Sequence, residues 1–216
     1  MNRIIYLHGF ASGPSSSKAR YFRARWEAMG ARVEIPDLAA GNFERLTLSG
    51  QLALVESVAN ESGRGEPLAL AGSSMGGYLA ALYAARHPEV SRLVLLAPAF
   101  AFARRWPERL GAEAMERWRS AGTMEVFHYA ENGPRPISYD LMADAAAYED
   151  FPAFRQPALI FHGAHDDVVP AELSRAFAAS HPNAALEIVD SGHDLLNVLD
   201  EIAPKIDAFL SGSSKP

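Results

Sequence analysis

Leu68-Ala69-Leu70-Ala71-Gly72-Ser73-Ser74-Met75-Gly76-Gly77-Tyr78-Leu79-Ala80-Ala81 is the stretch that decides the fold. Its first four residues form a short apolar strand, and Gly77 onward is a run of helix formers stopped by His87-Pro88. Between them, Gly72-Ser73-Ser74-Met75-Gly76 matches G-x-S-x-G in the strand–turn–helix setting that a nucleophile elbow requires. The glycines are needed because a serine at the apex of so tight a turn leaves no room for a Cβ two residues away. The plainer readings are a glycine-rich βα turn or an anion-binding helix N-terminus. Ser73 lacks the flanking glycines, having Ala71 before it and Met75 after it, so Ser74 alone fits.

The same rhythm extends in both directions. Ile4–Leu7, Val33–Ile35, Leu93–Leu96, Ala158–Phe161 and Leu186–Val189 read as further strands. Helical spacing predicts Lys18–Met29, Leu48–Ala59, Gly76–Arg86, Ala171–Ser180 and Leu195–Leu210. The strands are apolar without alternation, as strands buried on both faces are. Six of them with helical crossovers predict a doubly wound α/β fold with a mainly parallel sheet. The segment Ala101–Phe154, between the fourth and fifth strands, is far longer than an ordinary αβ connection. It reads as a cap inserted into one domain spanning 1–216, with a helix over Glu108–Ser120, a hairpin begun by Thr123–Tyr129 and a helix over Tyr139–Tyr148. Ser211–Pro216 is expected to lack fixed structure.

Composition narrows the function. Hydrophobic residues make up 49% and charged residues 21% of the 216 residues, ordinary values for a globular chain. A net charge of −6 argues against nucleic acid as a partner, because phosphate binding needs clustered Lys and Arg. The absence of cysteine excludes disulfides, thiolate metal sites and a cysteine nucleophile. The apolar run at Met1–Leu7 is too short for a signal peptide, and no stretch nears the ~18 apolar residues of a membrane span. A cytoplasmic location is therefore expected, and the oligomeric state is left open.

A serine hydroxyl needs a base to take its proton. Among seven histidines, His193 follows the last strand and precedes the last helix, at the carboxyl edge of the sheet where Ser74 also lies. His162 ends a buried strand and His8 sits in the first βα loop, and both read as structural. His87 and His181 each precede a proline at a helix end and read as caps. The base in turn needs a carboxylate to hold its tautomer. Asp166, after the fifth strand, is our assignment, with Asp167 the close competitor and a helix N-terminal role the ordinary alternative for either. Two backbone N–H groups should stabilise the developing oxyanion. Met75 at the start of the elbow helix and Phe10 in His8-Gly9-Phe10 are the candidates.

Taken together, Tyr6-Leu7-His8-Gly9-Phe10-Ala11-Ser12 with Lys18-Ala19, the elbow, His162-Gly163…Asp166…Val169-Pro170 and Gly192-His193 resemble α/β-hydrolases along almost the whole chain. The likeness is greatest to small bacterial carboxylesterases and acyl thioesterases, including relatives of a mitochondrial protein depalmitoylase. The resemblance implies the α/β-hydrolase fold, a Ser74–Asp166–His193 triad in the chain order of that family, and Phe10 and Met75 as oxyanion donors. It implies a small-molecule ester or thioester substrate, cleaved through an acyl-enzyme, and no cofactor. C–C bond hydrolysis and perhydrolysis use the same triad and stay open, as does a binding protein that keeps the fold without catalysis.

Rival motifs fare worse. Gly13-Pro14-Ser15-Ser16-Ser17-Lys18-Ala19 lacks the glycine before Lys18 and the hydroxyl after it that a P-loop needs. Ser15-Ser16-Ser17-Lys18 matches S-x-x-K but has no companion motif. His162, His165, Asp166 and Asp167 follow no metal-ligand spacing, so no metal is expected. The cap aromatics Phe100, Phe102, Trp106, Trp118, Phe127, Tyr129, Tyr139 and Tyr148 divide between packing and lining an apolar acyl pocket over Ser74.

Overall fold

The computed structural model describes residues 3–61 and 66–212. Its strands are β1 (Arg3–Leu7), β2 (Arg32–Glu34), β3 (Leu68–Ser73), β4 (Val90–Leu96), β5 (Thr123–His128), β6 (Gly133–Ser138), β7 (Ala158–Gly163) and β8 (Ala184–Val189). Its α-helices are α1 (Ser17–Ala28), α2 (Leu48–Glu61), α3 (Met75–Arg86), α4 (Phe102–Leu110), α5 (Ala112–Ala121), α6 (Asp140–Ala145), α7 (Ala171–Ser180) and α8 (Leu199–Leu210). Six strands form one sheet in the order β2-β1-β3-β4-β7-β8, and every pairing in it is parallel.

The side-chain alternation of those strands divides the core in two. Ile5, Leu7, Leu70, Leu93, Leu95 and Ile160 point to a layer shared with α2, α3 and α7. Their neighbours Ile4, Tyr6, Ala71, Val94, Leu96 and Phe161 point to a layer shared with α1 and α8. Both faces are covered, which is why these strands read as unbroken apolar runs rather than alternating ones. On the second face Asp207 is buried, accepting from Arg25 Nε at 2.6 Å and Trp26 Nε1 at 3.2 Å, so α8 is held to α1 by paired polar groups. The chain goes from β1 outward to β2 and then crosses to β3 on the other side of β1. The strand order therefore reverses at β1/β3, where open α/β sheets present a crevice at their carboxyl ends.

The long segment between β4 and β7 folds as α4, α5, the antiparallel hairpin β5–β6, and α6. The single helix expected over Glu108–Ser120 is two helices, because Gly111 at φ 79°, ψ 159° ends α4 and starts α5. The expected helix over Tyr139–Tyr148 is shorter, Asp140–Ala145, and continues as turns. At the C-terminus, Leu195 takes φ 55° and Leu196–Val198 form a 3₁₀ turn, so the last helix starts at Leu199 and not at Leu195. In the tail, Ser211 and Gly212 form a turn, with Ser211 N donating to Asp207 O at 2.9 Å; residues 213–216 lie outside the described residues. Among the described residues no helix is long and apolar enough to cross a membrane.

Candidate active site

Ser74 sits at the junction of β3 and α3 with φ 55° and ψ −120°. A non-glycine residue there is strained by about 1–3 kcal/mol, so the surroundings must over-determine it. They do. Ser74 N donates to Leu96 O at 2.9 Å, and Ser74 O accepts from Tyr78 N and Ala99 N. A Cβ on Gly72 would run into the Gly76 carbonyl, and one on Gly76 into the Leu7 carbonyl, so the turn closes only with glycine at both positions. Ser74 occupies the N-cap position of α3 yet makes no capping hydrogen bond with its side chain. Its hydroxyl goes elsewhere.

It meets His193. Ser74 Oγ lies 3.0 Å from His193 Nε2, and His193 Nδ1 lies 2.7 Å from Asp166 Oδ2. The carboxylate accepts only, so Nδ1 carries the proton and Nε2 is the acceptor for the serine hydroxyl. His193 is half-buried on the loop after β8, and the Asp166 side chain is fully buried after β7. Asp166 Oδ1 accepts the amides of Val168 at 2.9 Å and Val169 at 2.7 Å. Burial, the largest single influence, would raise the Asp166 pKa. The hydrogen bonds from His162 and His193, the His193 charge and the Val169 amide together outweigh it, holding the carboxyl well below the usual carboxylate range. Asp167 points to solvent at the cavity mouth and makes none of these bonds.

His162 was legible only as a structural residue, and its place is more specific than that. It is fully buried, accepting from Ser174 Oγ at Nδ1 (2.7 Å) and presenting Nε2–H to Val169 O (2.8 Å) and to Asp166 Oδ2 (3.1 Å). It thus braces the same oxygen that meets His193. Lys18, half-buried at the start of α1, donates to the carbonyl of Asp194, the residue after His193, at 2.7 Å. Burial pushes the Lys18 ammonium down to about 8, against the pull of Asp194 and Asp166. His8 is buried, with Nδ1 donating to Gly9 O and Nε2 accepting from Leu38 N. His165 pairs with Asp190 on the surface, apart from His162.

A Cβ built on Gly9 would lie 3.4 Å from that of Ser74, so the loop after β1 passes directly beside the serine. Phe10, Met75, Ser74 and His193 line one cavity of about 1180 Å³. Met75 is the first residue of α3, where a backbone N–H has no partner within the helix. Of the eight aromatics expected to divide between packing and lining, Phe102, Trp106, Phe127 and Tyr129 line the cavity. Phe100 instead stacks on Phe177, Trp118 is buried with Nε1 bonded to Ile137 O, and Tyr148 bonds Ser49.

No curated protein sequence matches the chain. Solved structures do resemble it. Alpha/beta hydrolase domain-containing protein 10 from mouse is 22% identical, with a TM-score of 0.83 over 98% of this chain and 90% of the other. Est1E from Butyrivibrio proteoclasticus, solved with ferulic acid, is 21% identical, with a TM-score of 0.81 over 98% and 89%. The monoacylglycerol lipase of Paleococcus ferrophilus is 17% identical, with a TM-score of 0.76 over 98% and 95%. At these identities the likeness establishes the α/β-hydrolase fold. Over residues 3–211 the sequence matches the model of the Uncharacterised protein family (UPF0227), and the chain belongs to that family.

Proposed function

We propose that the protein is a serine hydrolase that cleaves carboxylic esters or thioesters of apolar acyl groups through an acyl-enzyme. The observation that carries this reading is the unbroken chain from Asp166 Oδ2 through His193 to Ser74 Oγ, with contacts of 2.7 and 3.0 Å, opening on the large cavity. Ser74 Oγ attacks the substrate carbonyl carbon while His193 Nε2 takes the hydroxyl proton. Asp166 holds the Nδ1 proton in place and stabilises the imidazolium. The amides of Phe10 and Met75 receive the oxyanion. His193 then gives its proton to the leaving alcohol or thiol, and the acyl group stays on Ser74. Water, deprotonated by His193, hydrolyses that ester and restores the enzyme.

The lining supports an apolar acyl group. Phe102 and Trp106 from α4 and Phe10 from the loop after β1 pack on one another at 5.7–6.0 Å, and the insert then acts as a cap over Ser74. Est1E with its ferulic acid and the lipase of Paleococcus are named for ester chemistry, which agrees with the reading. The test is labelling with a fluorophosphonate probe, together with turnover of p-nitrophenyl esters and acyl-CoA thioesters of graded length. Wild type should label and turn over, and Ser74→Ala should do neither. A protein that neither labels nor cleaves any of the panel is a binding protein on this fold.

A further inference from the structure

Two adjacent arginines on α4 have opposite surroundings. Arg104 is exposed and answered twice, by Asp150 Oδ2 at 2.9 Å and by Glu108 Oε1 at 3.1 Å. Arg105 is half-buried in the wall of the cavity that holds Ser74 and His193. Among the described residues its guanidinium has one polar partner, the carbonyl of Val168, and no carboxylate within ion-pair distance. Arg109, one turn further on, lines the same cavity, also without an ion pair among the described residues. Lys18 lines it too and spends one of its three protons on the Asp194 carbonyl.

The carboxylates at hand do not answer these charges. Glu125, Asp167 and Asp194 line the cavity but are exposed, and none forms an ion pair with Lys18, Arg105 or Arg109. Asp166 is close enough to be felt by both Lys18 and Arg105, yet its two oxygens already accept from two amides and two imidazoles. A guanidinium stays protonated in a protein, so its partial desolvation without a directly paired carboxylate is a standing cost. Burial first, then Arg109 and to a lesser degree Arg104, press against that charge, and Asp166 and Glu108 offset them only in part. A planar fork with free N–H groups beside aromatic walls is suited to a carboxylate or phosphate.

We propose that Arg105, with Arg109 and Lys18 nearby, is the subsite for an anionic group, carboxylate or phosphate, carried by the ester or thioester cleaved at Ser74. The assignment rests on the serine-hydrolase reading and narrows its substrate to one that joins an apolar body to an anionic end.

Two matched pairs test it. 4-Acetoxybenzoate against its methyl ester places the anion on the leaving group. 4-Nitrophenyl hemiglutarate against 4-nitrophenyl pentanoate places it on the acyl group. With rates normalised to spontaneous hydrolysis, wild type should prefer the anionic member of at least one pair. That pair identifies the side of the scissile bond that faces Arg105. Arg105→Gln should lower the anionic-to-neutral ratio of kcat/KM about 10- to 100-fold, chiefly through KM, the range of a charge-assisted hydrogen bond. Arg105→Lys should restore part of it, and Arg104→Gln should leave it unchanged. No preference in either pair overturns the subsite while leaving the hydrolase reading intact. So does a loss in Arg105→Gln that is equal for anionic and neutral members, which would mean that Arg105 only ties α4 to Val168. If no ester is cleaved at all, calorimetric titration with 4-hydroxybenzoate and methyl 4-hydroxybenzoate still decides. Tighter binding of the acid, lost in Arg105→Gln, supports the subsite, and equal or absent binding rejects it.

Discussion

The two walls of the cavity are built on different principles. On the sheet side, Ser74, Asp166 and His193 stand just past the ends of β3, β7 and β8, on loops whose backbones are tied to adjacent strands and to one another. Ser74 N bonds Leu96 O, Ala164 N bonds Val189 O, and His165 N bonds Ser191 O. Every oxygen of Asp166 is occupied. On the insert side the wall is made of side chains from α4 and the β5–β6 hairpin, where Phe127 and Tyr129 are 50% and 73% exposed. Among the described residues one backbone bond, Tyr129 N to Ala11 O at 2.8 Å, joins the hairpin to the loop after β1. The sheet side is over-determined and suits chemistry, which fails with small displacements. The insert side is tied to the body mainly through side chains, such as Arg105 on the Val168 carbonyl and Ser49 on Tyr148, and suits selection among substrates.

That contrast can be broken by experiment. If it is sound, Ser74→Ala should lower kcat by about 10⁴–10⁶ with the fold intact by circular dichroism, as loss of a nucleophile does in such triads. Ser73→Ala, one residue away within β3, should keep most of the activity. Near-normal turnover by Ser74→Ala would remove the sheet side from the chemistry altogether.

Next in size is the pair of aspartates. Asp166→Asn should cost about 10⁴ in kcat by favouring the wrong imidazole tautomer, while Asp167→Asn should cost little. The same variant has a thermodynamic signature. The folded-state pKa of Asp166 is depressed, so its contribution to stability is present above the unfolded value near ~3.9 and is lost as pH falls below it. Denaturant midpoints measured from pH 5 down to pH 2.5 should therefore fall more steeply for wild type than for Asp166→Asn. Parallel curves would mean that Asp166 is not held as the hydrogen bonds imply.

On the insert side effects should shrink. Each methylene that enters the apolar wall is worth about 0.8 kcal/mol, close to fourfold in kcat/KM, until the pocket is full. Trp106→Ala should flatten that rise from acetyl to octanoyl esters and leave acetyl esters near the wild-type rate. A Trp106→Ala enzyme with an unchanged slope would show that Trp106 only packs. The smallest effect concerns Lys18. With its pKa pushed down to about 8, it loses charge just above neutrality. For an anionic ester, kcat/KM should decline a few-fold above pH 8, and Lys18→Gln should abolish the decline. A decline of the same size with neutral esters would trace it to another group.

The sheet was readable because burial on both faces leaves apolar runs, and because a turn as tight as Gly72–Gly76 imposes its own residue types. Ser74, His193 and Asp166 were each named from sequence, and the fold brings the three into hydrogen-bond contact. What escaped was set by geometry that sequence spacing does not encode. Gly111 interrupts an otherwise continuous helical pattern. Leu195 adopts a left-handed backbone with no glycine to announce it. His162 braces Asp166 only because β7 ends where the next loop curls back over it. Arg104 and Arg105 are adjacent in sequence, but about 100° of helix rotation sends one to solvent and the other into the cavity.

Ser74 also sets the molecule against itself. Its backbone lies in a region that glycine enters freely and serine does not, and its side chain gives α3 no cap. Glycine at position 74 would relieve that strain, so Ser74→Gly should melt at a higher temperature than wild type. A screen that rewards thermal endurance alone would discard this serine early, whereas on the proposed function a screen that also demands turnover would keep it.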